Sequence, residues 1–424
     1  MITRRGIGFV AVAVAAFFIA SATRVGWAHI ADAVLWGVVL LGLAMPWLTI
    51  PGLTVSRTLR ARRSRGLPGP IEGDSATATI SITNRWKLPR FMVGASYRQS
   101  SGEVSSSSKL LFGAVGHSTV TSTDQQLKLE RRGMLELSPM TLESAAPFGL
   151  FRRRSTMGRG ERVLVYPRWV QIERVGLLSH ALGESEGRTR SRHGMDVSGT
   201  RRYAAGDPYR LIHWRNSARS GRLAVKEFDA WSDQSVMMVI DTSTVAGDSP
   251  ESSLDYAARL AGSAARSLMR DGGHVTLISS AAVGRSASDW SSMMAELALL
   301  QPGVGAAAEE ALRTAGQGAR VIAFVHPAGT RLIAALGHAS RRGAAVGAVV
   351  FDGFGADERA QAVMRTLRQA GANVIACAPG QLEQCARAIE TGAEAAGSTR
   401  ILPFTPAAEQ DDLGEDAAGE VSAA

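Results

Sequence analysis

From residue 236 to residue 391 the chain alternates two kinds of segment, and that alternation limits the folds open to it. A short, continuous apolar run occurs at 236–240, and strand-like segments follow at 274–279, 321–325, 346–351 and 374–378. A run without polar interruption is the pattern of a strand buried on both faces. Segments with helical apolar spacing stand between and after them, at 253–270, 289–300, 331–342, 357–370 and 382–390. In 253–270 the spacing is carried by Leu254, Ala257, Ala258, Ala261, Ala265 and Leu268, and Gly392 suits the end of the last helix. The pattern predicts a parallel sheet covered by helices on both faces, with ligands at the carboxyl ends of its strands. The first such end reads Asp241-Thr242-Ser243-Thr244.

The amino-terminal end follows a different solvent rule. Residues 7–22 are almost unbroken apolar sequence, and 30–50 form a second run, interrupted only by Asp32. The second is long enough to cross about 30 Å of hydrocarbon, and the first is at the short limit. Arg4 and Arg5 precede the pair; Arg57, Arg60, Arg62, Arg63 and Arg65 follow it; the connector holds only Arg24. Counting basic residues places both ends in the cytoplasm, with an outer hairpin near 24–29. The arginine run is read as a topology determinant that touches anionic lipid. The other reading is a signal peptide cleaved near Ser21-Ala22-Thr23; the second run then still anchors the chain.

Between these ends, residues 67–167 carry short alternating stretches at 76–83, 91–97, 118–123, 135–142 and 162–166, separated by Gly, Asn, Ser and Pro. Period-two alternation at this spacing predicts antiparallel strands and a small β-sandwich. Arg131-Arg132-Gly133 reads as a turn, and residues 146–151 as a buried corner. No catalytic spacing occurs in this stretch, which fits a spacer or interaction module.

Residues 194–231 mix Arg201, Arg202, Arg210, Arg215, Arg219, Arg222 and Lys226 with Asp196, Asp207, Glu227 and Asp229, and interleave Tyr203, Trp214, Phe228 and Trp231. Gly206-Asp207-Pro208 is a turn: Asp favours its start and Pro presets the backbone angle. Ile212, Trp214, Leu223 and Val225 are expected to bury, leaving Arg210, Arg215 and Arg219 to pair with Asp207, Glu227 or Asp229. Such an element would clamp the sandwich to the α/β domain. The alternative is an outward basic cluster, Arg201 to Arg222, that binds phosphate or an acidic partner; aromatics beside arginines also suit single-stranded nucleic acid. The net charge of +9 does not decide the matter. It is carried almost wholly by arginine, as a GC-rich genome also produces.

Other chemistry finds little support. The two cysteines, Cys377 and Cys385, make no disulfide framework and no zinc cluster, and a reducing compartment is expected. Residues 303–308 fit the letters of a dinucleotide motif, but they follow a helix rather than a strand. A phosphate-binding GxxxxGK[ST] loop and a GxSxG elbow are both missing. Asp207, His213 and Ser217 permit a sketch of a hydrolase site and no more. Residues 409–424 have the acidic, Ala/Gly-rich composition of a disordered tail.

Two resemblances add to this reading. Asp241-Thr242-Ser243-Thr244-Val245 resembles the metal-ion-dependent adhesion site of von Willebrand factor A domains, whose opening is Asp-x-Ser-x-Ser. Val245 replaces the last serine, and His326-Pro327-Ala328-Gly329 stands where a Thr-Asp-Gly turn would fall. One carboxylate and one hydroxyl, Asp241 and Ser243, remain to hold a divalent cation such as Mg2+. Otherwise the two residues cap the turn that follows. The second resemblance is to the "domain of unknown function 58" family. Its carriers are Gly194, Arg201, Tyr203, Gly206, Asp207, Arg210, Trp214, Arg215, Ser217, Arg219, Lys226 and Glu227, with Pro147-Phe148-Gly149-Leu150-Phe151 as lead-in. Asp196 departs from the usual glutamate. Genes of that family commonly neighbour those of MoxR-type AAA+ ATPases, which implies a partner of that class and no established activity.

The expected architecture is multidomain α+β. A transmembrane helical hairpin (1–52) leads to a small antiparallel β-sandwich (53–170) and the signature segment (171–235). A doubly wound α/β sheet of von Willebrand factor A-like type (236–395) and an acidic tail (396–424) complete it. The expected role is a non-enzymatic, membrane-anchored adaptor with its soluble domains in the cytoplasm, bound to the bilayer and to an AAA+ ATPase engaged in envelope-related assembly. Phosphate or nucleic-acid binding, and a hydrolase built on Asp207 and His213, are the alternatives.

Overall fold

The computed structural model describes every residue except 24, 62–65, 103, 179–196, 203–216, 220, 229–234, 288, 356–358 and 394–424. The described chain forms two compact units, Met1–Tyr166 and one that begins at Pro167.

The first unit opens with α1 (Arg4–Thr23) and α2 (Gly26–Thr49), which are long and apolar enough to cross a membrane. They pack on one another. Ala13 and Ala20 are buried on α1, and Gly6, buried as well, lies against Leu150 O. Asp32 is buried on α2.

Nine strands follow: β1 (Leu53–Ala61), β2 (Ser75–Asn84), β3 (Arg90–Ser101), β4 (Val104–Val115), β5 (Val120–Lys128), β6 (Gly133–Leu137), β7 (Met140–Ser144), β8 (Arg153–Met157) and β9 (Glu161–Val165). One sheet has the order β1-β2-β5; the other runs β8-β7-β3-β6-β9, with β4 on β3. Both contribute to a single core that includes Ile80, Ile82, Tyr97, Phe112, Leu137 and Leu142, so the two sheets close on each other. Strict alternation explains β2, whose burial reads exposed at Ser75 and then buried at every second residue to Asn84.

Four expectations need correction here. The stretch 135–142 is two strands, because Ser138 and Pro139 break the ladder between β6 and β7. Arg57 is not at a lipid surface. It sits inside β1, only 1% exposed, with Nε donating to Glu161 at 3.2 Å and its guanidinium 5.0 Å from the Tyr97 ring centre. Corner 146–151 is buried at Leu150 but leaves Phe148 exposed. Finally, Cys377 and Cys385, expected to make no disulfide framework, are paired with one another as a local disulfide.

In the second unit, β10 (Val197–Arg202) pairs antiparallel with β11 (Ala224–Phe228). A six-stranded sheet follows, built from β12 (Ser235–Ile240), β13 (His274–Ser279), β14 (Val283–Ala287), β15 (Arg320–Val325), β16 (Ala345–Phe351) and β17 (Asn373–Cys377). Its order is β14-β13-β12-β15-β16-β17, parallel except for β14. The helices are α3 (Ser253–Arg270), α4 (Trp290–Leu299), α5 (Ala307–Thr314), α6 (Thr330–Arg341), α7 (Ala360–Gln369) and α8 (Leu382–Thr391). Contacts join α3, α4 and α8 into one layer and α5, α6 and α7 into another. Every residue of β16 is buried, as a strand covered on both faces requires. The start of α3 is set by a capping box in which Ser252 and Asp255 exchange hydrogen bonds.

Candidate functional site

Strand β12 lies between β13 and β15, and the chain leaves it first toward one edge and later toward the other. Connections that diverge in this way open a crevice at the carboxyl ends of the strands. Asp241 stands at that point, 5% exposed, with its backbone N–H donating to Phe324 O at 2.9 Å.

Its carboxylate organises the loops around it. Oδ1 accepts from Ser243 N at 3.0 Å, Ser243 Oγ at 2.7 Å, Thr244 N at 3.2 Å and Ser280 Oγ at 3.3 Å. The first three bonds make Asp241 the cap of its own turn. The fourth reaches across to the end of β13. Oδ2 is buried and accepts no hydrogen bond. Gly329 lies against it: a Cβ there would stand 2.3 Å from Oδ2. Gly329 is also the N-cap of α6, so the carboxylate meets the positive end of a helix.

Asp241 and Ser243 bring one carboxylate and one hydroxyl, whereas hard cations take six or more oxygens. Oδ1 accepts four hydrogen bonds, Oδ2 accepts none, and the Ser243 hydroxyl donates to Asp241. Among the described residues, no group of three or more His, Cys, Asp or Glu is placed to hold a metal.

A second loop is stitched onto the same edge. Thr242 Oγ1 donates to Gly303 O, and Gly303 N donates back to Thr242 O, both at 2.9 Å. Ala307 N donates to Ser280 O at 3.1 Å. A Cβ on Gly305 would meet Ser280 O at a separation no real Cβ shows, so only glycine packs there. Between the two glycines Val304 is 85% exposed. The letters GxGxxA in this loop therefore serve close packing beside the Asp241 turn. The exposure of Val304 is not legible in the sequence.

Of the expected site residues, Asp241 and Ser243 come together as described. Arg201 pairs with Val225 across β10 and β11, Lys226 with Thr200, and Glu227 with Gly199. Ser217 is buried and Arg219 exposed. Leu223, expected to bury, is instead 44% exposed. Tyr203, Gly206, Asp207, Arg210, His213, Trp214 and Arg215 lie outside the described residues, as does the acidic tail.

No curated protein matches the chain. Among solved structures, a protein described as late embryogenesis abundant (LEA) is 12% identical over 32% of this chain and 86% of its own, with a TM-score of 0.19. A β-glucosidase from Listeria innocua in complex with gluconolactone is also 12% identical, over 24% of this chain and 16% of its own, with a TM-score of 0.13. At such TM-scores neither likeness bears on fold or function. The signature stretch and the sheet that follows it do find a match: residues 199–378 match the model of the family described as "Protein of unknown function DUF58".

Proposed function

We propose that this protein is a membrane-anchored, non-enzymatic adaptor. In this reading α1 and α2 span the bilayer, and both termini and the soluble units are cytoplasmic. The parallel sheet is of von Willebrand factor A-like type, and its carboxyl edge is the partner surface. The order β14-β13-β12-β15-β16-β17, with an antiparallel edge strand, supports that assignment. The partner is a MoxR-type AAA+ ATPase, the class that the family resemblance implies.

The observation that carries the proposal is the built edge around Asp241. One oxygen of a buried carboxylate accepts from Ser243, Thr244 and Ser280, and the loop beside it presents Val304 to solvent. Hydrogen bonds of this kind fix the shape of a surface; the exposed apolar side chain then serves as an anchor for another protein.

The test is recovery of partners from membranes under ATP-trapping conditions, with wild type beside Val304→Asp. The wild type is expected to retain an AAA+ ATPase, and the variant to lose at least about tenfold, the consequence of roughly 1.4 kcal/mol at an anchor. Recovery of no ATPase by the wild type contradicts the proposal.

A further inference from the structure

The first unit has a second surface whose apolar residues are exposed without a protein partner in view. Helix α2 ends at Thr49, and β1 begins at Leu53, opposite Asn84 at the end of β2. That end of the sandwich is therefore the one nearest the exit of the helix. Trp86 lies directly on Gly52, where a Cβ would clash with its indole. Asn84, fully buried, pins the loop: its Nδ2 donates to Leu88 O at 2.9 Å and its Oδ1 accepts from Trp86 N at 3.0 Å.

The β3 strand then breaks its own alternation. Met92 has φ +51°, in the left-handed region that a β-strand residue avoids. As a result two successive apolar side chains, Phe91 and Met92, face outward, 54% and 52% exposed. Strain at a residue that turns apolar surface to solvent points to a function for that surface.

The loop between β7 and β8 reaches the same helices. Thr3 N and Thr3 Oγ1 donate to Leu150 O, both at 2.9 Å, and Arg152 N donates to Met1 O at 2.8 Å. A Cβ on Gly6 would collide with Leu150 O, and Gly42 packs against Leu150 and Phe148. Gly42 precedes Thr49 by seven residues, which is about 10 Å along a helix. Phe148 therefore lies level with the last turns of the apolar helix. Arg153 stacks 4.4 Å from the Trp47 ring centre and donates to Trp47 O at 2.9 Å. Arg4, Arg5, Arg85 and Lys87 are exposed around these apolar groups.

We infer that this end of the sandwich is seated in the lipid surface. Trp86, Leu88, Phe91, Met92 and Phe148 enter the boundary between headgroups and acyl chains, and the flanking arginines and lysine meet anionic phosphates. Three observations select lipid as the occupant. The surface is continuous with two bilayer-length helices, its aromatics stand at their ends, and its rim is basic. The inference rests on the membrane-spanning reading above and adds that the sandwich is held against the bilayer, not merely tethered to it.

The experiment places the photoreactive residue p-benzoylphenylalanine at single positions of the full chain, reconstituted in phosphatidylethanolamine–phosphatidylglycerol vesicles. Phe91 and Phe148 probe the surface. Phe17, in α1, reports on the span. Val104 lies at the far end of the β3–β4 pair and serves as the control. Irradiation is expected to give phospholipid adducts at Phe91, Phe148 and Phe17, and none at Val104. Adducts at Phe17 without any at Phe91 and Phe148 overturn the seating and leave the span intact, as do cross-links from Phe91 to protein alone. No adduct at Phe17 overturns the span, and the seating with it.

Discussion

The Asp241 side chain sits in a nearly buried place where three elements meet it: its own turn, the serine after β13 and the start of α6. Removing the carboxylate leaves Ser243 N, Thr244 N and Ser280 Oγ without their acceptor. Asp241→Ala is expected to cost about 1–3 kcal/mol in chemical denaturation, and Asp241→Asn less, because its amide oxygen still accepts. Addition of Mg2+ is expected to leave the wild-type midpoint unchanged; a Mg2+-dependent rise that Asp241→Ala abolishes would contradict the structural role. The Asp-x-Ser letters led to this turn, but they could not show that Gly329 lies beside the second carboxylate oxygen. That contact joins residues 88 positions apart in sequence, beyond the reach of local spacing. Arg57 was misread for a similar reason. A run of arginines after apolar helices has the look of a lipid contact, while the partners that bury this one, Glu161 and Tyr97, lie far along the chain.

At the scale of elements, the legible ones are those whose own pattern determines burial. The apolar runs within β12, β15 and β16 marked them as doubly covered strands, and α3 spans Ser253–Arg270 as its apolar spacing and capping box require. Elements without such a pattern stayed hidden. Strand β4 opens with a serine run; β14 is a short antiparallel edge strand; α5 has only eight residues, with Glu309 and Glu310 in its first turn as the one cue. Helix α4 offers a direct test of capping. Hydrogen bonds from Ser291 Oγ and from the Ser292 N–H hold the Asp289 carboxyl below the usual aspartate range. A lowered folded-state pKa means stability that is present above the unfolded value, about 3.9, and is lost as pH falls through the folded one. Asp289→Ala is therefore expected to cost about 1 kcal/mol at neutral pH. The difference between wild type and variant, followed by denaturation from neutral to acid pH, should shrink only below the ordinary aspartate range. A difference independent of pH would contradict the assignment.

At the scale of the molecule, the order of segments was legible because each obeys a different periodicity: apolar helices, alternating strands, then strands and helices in turn. The signature stretch falls largely within the family match, yet its chemistry is not carried by spacing, since its arginines serve equally well inside a clamp or on an open face. Partner choice was the least legible property. It depends on which side chains the fold leaves outside, and Val304 is conspicuous only once Gly303 and Gly305 are seen packed on the sheet edge. This edge is proposed above as a protein-docking surface for an AAA+ ATPase. Its most direct measurement is site-specific photocross-linking from position 304 in native membranes under ATP-trapping conditions, with p-benzoylphenylalanine in place of Val304. A cross-linked AAA+ ATPase, identified by mass and peptide sequence, is the predicted result; a position 304 that cross-links to no protein, while the variant remains folded and in the membrane, would contradict it.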